Sequence, residues 1–325
     1  MMMRLIRAVP IPMAGLALAF AALGNLLLKL PHGFAYGEII RYGCGVMSFA
    51  LLTLVILKLV LDWPHASAEF KTPVPLSVLP TATMTLMLLC TYVKPHVGDI
   101  IIYVWYAAVA LHVAIMLLFI VRFVFKFKLE HAFPSWFIAA VGIVTASVTA
   151  PAMSMPDTNV LTTNALLVGQ TTWYLGLTLY VLTLPTVIWR LAKKPAMMEP
   201  LTLTFVIFTA PLSLLLVGYL GSFAQQLNAT VVYALLVGAV IKYVIVSVRM
   251  ISMLRVRFYP TYAAFTFPFV ISAIAFRQAN AFLVVQGYTF FWPIAMLSIV
   301  IAIAIVLYVL VRYIGYFRYY LSFSK

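Results

Sequence analysis

Apolar segments long enough to cross a bilayer recur along this chain from one end to the other. A hydrocarbon core of roughly 30 Å needs about 20 consecutive apolar residues in helical form. Such runs fall at 10–30, 37–61, 74–94, 99–123, 134–153, 165–191, 199–222, 229–250, 258–283 and 291–316. Ten spans in 325 residues leave no room for a soluble domain, and the composition, 65% apolar and 9% charged, agrees. In hydrocarbon every backbone N–H and C=O must be paired internally. The expected fold is therefore an all-α integral membrane protein, one channel-like domain over residues 1–325. The first run lacks a small-residue cleavage site of the A-x-A kind and reads as a retained span rather than a signal peptide.

The formal net charge is +14, and its location decides what it means. With the N-terminus inside, sixteen basic residues from Arg4 to Lys325 face the cytoplasm, against Lys29, Arg41, Lys94 and Arg277 on the other side. Lys242 falls within a span. Basic residues hold loops on the cytoplasmic side, so both termini are expected there, in the inner (plasma) membrane, and nucleic acid is not an expected partner. Cys44 and Cys90 lie in spans without a CxxC spacing and read as inert buried thiols.

A repeat organises the spans. A proline stands near the start of every odd one, at Pro12, Pro75, Pro134, Pro200 and Pro260, with spacings of 63, 59, 66 and 60 residues. That is one helical hairpin per repeat, five times over. A second proline or a hydroxyl cluster follows in "LPTATMT" (79–85), "TASVTAP" (145–151), "TLTFVIFTAPLS" (202–213) and "FTFP" (265–268). A mid-helix proline frees a carbonyl, which hydrocarbon tolerates only against protein or a water-filled cavity. Five odd helices forming an inner ring, wrapped by five even helices, are the expected architecture; a compact bundle of kinked helices without a pore is the competing one.

Chemistry inside a membrane normally needs ionisable groups, and all seven carboxylates, Glu38, Asp62, Glu69, Asp99, Glu130, Asp157 and Glu199, sit in loops or at span ends. No paired-aspartate site, HExxH, nucleophile motif or phosphate loop is present, so no enzyme, metal or cofactor is expected. Without carboxylates on the inner helices, cations have no binding partner, whereas anions meet no repulsion. Hydroxyls at Thr145, Thr204, Thr209 and Thr266, and amides freed near Pro80 and Pro211, are the candidate pore lining. His112 and Lys242 lie on even spans and read as an interhelical hydrogen-bonding histidine and a snorkelling lysine. Arg277 reads either as an outer-mouth group that concentrates anions or as an interfacial anchor.

The stretches "VPIPMAGLALAFAALG" (9–24), "FPSWFIAAVGIVTAS" (133–147), "FTAPLSLLLVGYL" (208–220) and "AAFTFP" (263–268) together resemble the tellurite-resistance/dicarboxylate transporter family. Bacterial TehA and the slow-type anion channels of plant guard cells are its best-known members. The resemblance covers nearly the whole chain and rests on the order and spacing of loose hydrophobic motifs. It implies a homotrimer of ten-helix protomers, each with its own pore for small anions such as chloride and nitrate. It also implies a gate, one phenylalanine on the ninth helix, here Phe267. Phe265, two positions earlier, would point about 200° away around a helix. Bacterial relatives carry glycine where this chain has Pro268, as plant members do. Pro268 would supply the kink that aims the ring, and Gly15 a surface without a side chain for it to lie against. Carriage of a dicarboxylate, sulfite or a tellurite-type oxyanion is the other activity the family implies.

Overall fold

The computed structural model describes residues 2–28, 36–154 and 160–323; Lys29, Asp157 and Lys325 lie outside them. The chain forms α1 (Met2–Ala8), α2 (Met13–Leu28), α3 (Gly37–Leu61), α4 (Trp63–Glu69), α5 (Pro73–Val78), α6 (Pro80–Val97), α7 (Ile101–Phe119) and α8 (Trp136–Val141). It continues through α9 (Val144–Met153), α10 (Val160–Lys193), α11 (Glu199–Thr202), α12 (Ala210–Ser222), α13 (Ala229–Met253), α14 (Thr266–Val285) and α15 (Trp292–Phe323). No strand occurs among the described residues. The protein is an all-α membrane protein.

Eight helical stretches are long and apolar enough to cross a bilayer. One of them, Pro73–Val124, holds two of the expected spans. The chain reverses within it at Gly98, whose φ of 68° lies in the left-handed region that favours glycine. Thr83 and His112, on opposite sides of that turn, sit 2.8 Å apart, so α6 and α7 run antiparallel. The first expected span appears as α2, whose sixteen residues fall short of a crossing at 1.5 Å each.

Neighbours in sequence pack as five hairpins, α2 with α3, α6 with α7, α9 with α10, α12 with α13 and α14 with α15. The first members also touch one another: α2 packs on α6, α6 on α9, α9 on α12, α12 on α14, and α14 on α2. Burial follows this division. The stretches Trp136–Met153, Glu199–Ser222 and Pro260–Val285 have 61 to 78% of their most apolar eighteen residues buried, whereas α3, α10, α13 and Trp292–Ser322 have 22 to 39%. The even helices turn Val46, Phe49, Leu111, Val181, Val244 and Val300 outward, as a lipid solvent demands.

The second prolines stand at junctions inside longer helical stretches. Pro80 opens α6, Pro211 is the second residue of α12, and Pro268 the third of α14. The residues that lead into these helices, Leu79, Thr209 and Phe265, already have helical dihedrals, so each proline interrupts the hydrogen-bond ladder of a continuous stretch. The stretch before Pro211 and Pro268 is a tighter 3₁₀ helix, at Leu203–Thr209 and Pro260–Phe265. Comparable i to i+3 bonds precede α2, where the Gly15 amide donates to the Pro12 carbonyl at 2.9 Å, and α8, where the Ile138 amide donates to the Ser135 carbonyl at 2.9 Å. Pro151 of α9 and Pro185 of α10 do lie inside their helices.

Hydroxyls staple the inner segments. Ser213 and Ser272 join α12 to α14 at 2.9 Å, Ser222 donates to the Ser147 carbonyl at 2.7 Å, and Ser77 donates to Ser135 at 2.8 Å. The carboxylates are confined to the two ends. Each of the six described carboxylates pairs with a cation: Glu38 with Arg41, Asp62 with Arg7 and His65, Glu69 with Lys58, Asp99 with Lys94, Glu130 with Lys194, and Glu199 with Arg257. The N-terminal and C-terminal helices meet at one end, where the Tyr316 hydroxyl donates to the Ala8 carbonyl at 3.0 Å.

Candidate functional site

A narrow cavity of about 50 Å³ lies where the N-terminal halves of the inner segments converge. All five contribute to its wall: Pro12 and Gly15 before and within α2, Thr81 and Met84 from α6, Phe137 and Gly142 around α8, Thr204 and Pro211 from the seventh span, and Phe267 and Pro268 from the ninth. No charged residue lines it.

Phe267 is distinguished from the other phenylalanines of its segment by its surroundings. Phe265 packs edge-on against Tyr262 at 4.9 Å, Phe269 against Tyr243 at 5.1 Å, and Phe276 against Tyr243 and Phe291 at 5.2 and 5.8 Å. Those rings are held by aromatic clusters facing neighbouring helices. Phe267 stands on the cavity wall and is 7% exposed. The half-turn between 265 and 267 produces this division. A Cβ built on Gly15 would meet Ala263 at 3.6 Å, so the neighbour that Gly15 accommodates most closely is the 3₁₀ backbone ahead of Phe267 rather than its ring. Phe137, a second ring on the wall, is pinned against Phe208 at 5.2 Å. Nothing in its spacing marks it in the sequence.

The expected lining residues divide in two. Thr204, Pro211, Gly15, Phe267 and Pro268 meet at the cavity, whereas Thr145, Thr209, Thr266 and Pro80 do not line it. Thr266 donates to the Ala263 carbonyl at 2.7 Å and reaches the Gly15 carbonyl at 3.3 Å, tying the ninth span to the first. The cavity's own hydroxyls also spend their protons on carbonyls: Thr81 on Val78 at 2.8 Å, Thr204 on Leu201 at 2.6 Å and Thr261 on Pro200 at 2.8 Å. Such a hydroxyl must rotate, trading one acceptor for another, before it can donate to an anion. Thr145 and Thr209 are different, since their buried Oγ1 atoms have no partner among the described residues.

Arg277 is half-buried in α14 and lines a wider recess of about 600 Å³ with Gln278, Gln286 and Gly221, toward the opposite ends of α12 and α14. Lys242 of α13 does not stretch toward an interface. Its ammonium donates to the Tyr180 hydroxyl of α10 and lies 4.5 Å from that ring's centre. His112 is fully buried on α7 and hydrogen-bonded to Thr83, as an interhelical histidine should be.

A multi-pass helical protein with an uncharged cavity at the junction of its most buried segments has the form of a membrane permeation protein. The family model SLAC1, voltage-dependent anion channel, matches residues 8–314, and the chain belongs to that family, which includes the TehA-like proteins. Among curated proteins none matches the chain.

Proposed function

We propose that this protein is a gated channel for small monovalent anions such as chloride and nitrate, with a route along the five inner segments that Phe267 obstructs. The observation that carries this reading is the cavity to which all five segments contribute, uncharged throughout and bordered by the one phenylalanine of its segment without an aromatic partner among the described residues. A ring there blocks passage and strips water from an approaching ion, a double barrier that a small movement relieves. Neutral walls bind anions weakly, which favours throughput over affinity. Family membership supports anion passage, and no catalytic, metal or cofactor chemistry enters this reading. The working unit is a homotrimer in the inner (plasma) membrane, with lipid against the outer helices and one route per protomer.

Voltage-clamped bilayers containing purified protein test the gate. Phe267→Ala is expected to raise chloride and nitrate current at least tenfold, the effect of removing about 1.4 kcal/mol or more from the barrier. Folded Phe267→Ala with wild-type conductance removes the assignment. Arg277 gives a second reading its footing, because a recess with a guanidinium and two amides suits a dicarboxylate, sulfite or tellurite-type oxyanion. Saturable, proton-coupled uptake into vesicles would favour that carrier; ohmic current without coupling favours the channel.

A further inference from the structure

The cavity wall raises a question of sign. Its hydroxyls on Thr81, Thr204 and Thr261 give their protons to carbonyls, which leaves them oxygen lone pairs to offer. Lone pairs suit a cation, yet the chain belongs to a family of anion channels. A neutral wall of apolar groups and oxygen acceptors does not by itself prefer a negative ion. Positive charge placed behind the wall would supply the preference.

Lys242 stands near the middle of α13, half-buried. Its ammonium donates to the Tyr180 hydroxyl and lies 4.5 Å from that ring's centre. The Tyr180 ring centre is in turn 6.0 Å from that of Phe137, and Phe137 lines the cavity. Both rings are buried, so the way from the ammonium to the cavity passes through two aromatic side chains. No described carboxylate neutralises the lysine, because each of the six pairs with another cation. A lysine at membrane depth is costly and ordinarily extends toward a surface. Here a ring face and a hydroxyl hold it at depth.

We propose that Lys242 is a specificity-determining residue: its charge, held by Tyr180 behind the Phe137 wall, makes an uncharged route selective for anions over cations. The inference rests on the channel reading above and adds what sets the sign of the permeant ion. An ion beside Phe137 would stand roughly 10 to 14 Å from Nζ. At that range and an effective dielectric of about 20, one unit charge changes an ion's occupancy about tenfold, upward for an anion and downward for a cation. Salt screens a charge set among buried groups far less than one in water. The ammonium makes no bond that a departing ion must break, so selection is gained without tight binding.

The test uses the full-length chain in bilayers under a sodium chloride gradient, in a Phe267→Ala background, where the reversal potential gives the chloride-to-sodium permeability ratio. Lys242→Met and Lys242→Gln are each expected to lower that ratio at least about tenfold, and Lys242→Arg to keep it within about threefold. Glutamine still offers a donor to the Tyr180 hydroxyl. A ratio preserved by glutamine as well as by arginine would therefore show that the hydrogen bond and not the charge matters, and would overturn the proposal. An unchanged ratio in Lys242→Met would do the same. Should one neutral variant fail to give monodisperse protein, the other decides. Unchanged ratios in a conducting Phe267→Ala background remove the role of Lys242 and leave the channel reading standing. A folded Phe267→Ala protein that does not conduct removes the channel reading, and the selectivity role falls with it.

Discussion

Phe265 and Phe267 are two positions apart and chemically identical, yet one is locked against Tyr262 and the other borders a cavity. Helical periodicity made that opposition legible. Which of the pair faced inward came from the family resemblance, because 23 phenylalanines offer no internal contrast. Hydroxyls were less legible still. Thr204 and Thr266 look alike in sequence, but Thr204 lines the cavity while Thr266 ties α14 to the Gly15 carbonyl. Thr204→Val is therefore expected to shift the permeability ratio between nitrate and chloride in bilayer recordings. Thr266→Val should leave that ratio within about twofold and instead destabilise the protein by about 1 kcal/mol, the usual net worth of a hydrogen bond. Equal ratio shifts in both would mean that Thr266 also meets the ion. The role of Gly142 was invisible because it depends on Met84 and His112, which come from another hairpin and would stand 2.9 and 3.0 Å from its Cβ.

At the scale of elements, the second prolines fall where one helical stretch passes into the next. Pro268 follows the 3₁₀ turn Pro260–Phe265 inside one continuous helical stretch, where it removes a ladder hydrogen bond and crowds the preceding turn. Pro268→Ala should accordingly raise stability, by up to about 3 kcal/mol, read as a rise in the thermal midpoint in detergent. A fall would indicate that the proline acts chiefly by restricting the unfolded chain. Contacts within and between hairpins depend on close backbone approach at positions the hydropathy pattern does not single out. A Cβ on Gly169 of α10 would stand 2.5 Å from the Cβ of Ala150 on α9 and 2.6 Å from Ser222 Oγ. Ala150 Cβ cannot swing away, so the two helices must separate. Gly169→Ala is expected to cost about 1–3 kcal/mol, seen as earlier thermal aggregation than the parent protein. An unchanged thermal midpoint would show that the interface yields freely.

Over the whole molecule, charge sorting is the dominant pattern, with every described carboxylate paired at one end or the other. From the basic excess we propose that the end that carries α1 and the C-terminal turns of α15 faces the cytoplasm. A cysteine placed at exposed Ser322 should react with an impermeant maleimide only after the membrane is opened; labelling of intact cells would invert the topology. At that same end the hydrogen bond and charge of Lys194 hold the Glu130 carboxyl below its ordinary range. The stabilisation is present above the unfolded-state value, about 4.3, and is lost as pH falls through the lower folded value. Thermal midpoints of wild type and Glu130→Gln should converge below about pH 4 and separate slightly above it; no separation at neutral pH would show the pair to be inert in solution. The sequence by itself determined the solvent, the helical class and the division into hairpins, because burying a backbone in hydrocarbon admits few solutions and each is written in local runs of apolar residues. Only the tertiary structure decided which hydroxyls are spent, which ring is free and which glycine opens the wall. Those properties belong to pairs of residues far apart in the chain, whose meeting depends on how the hairpins pack.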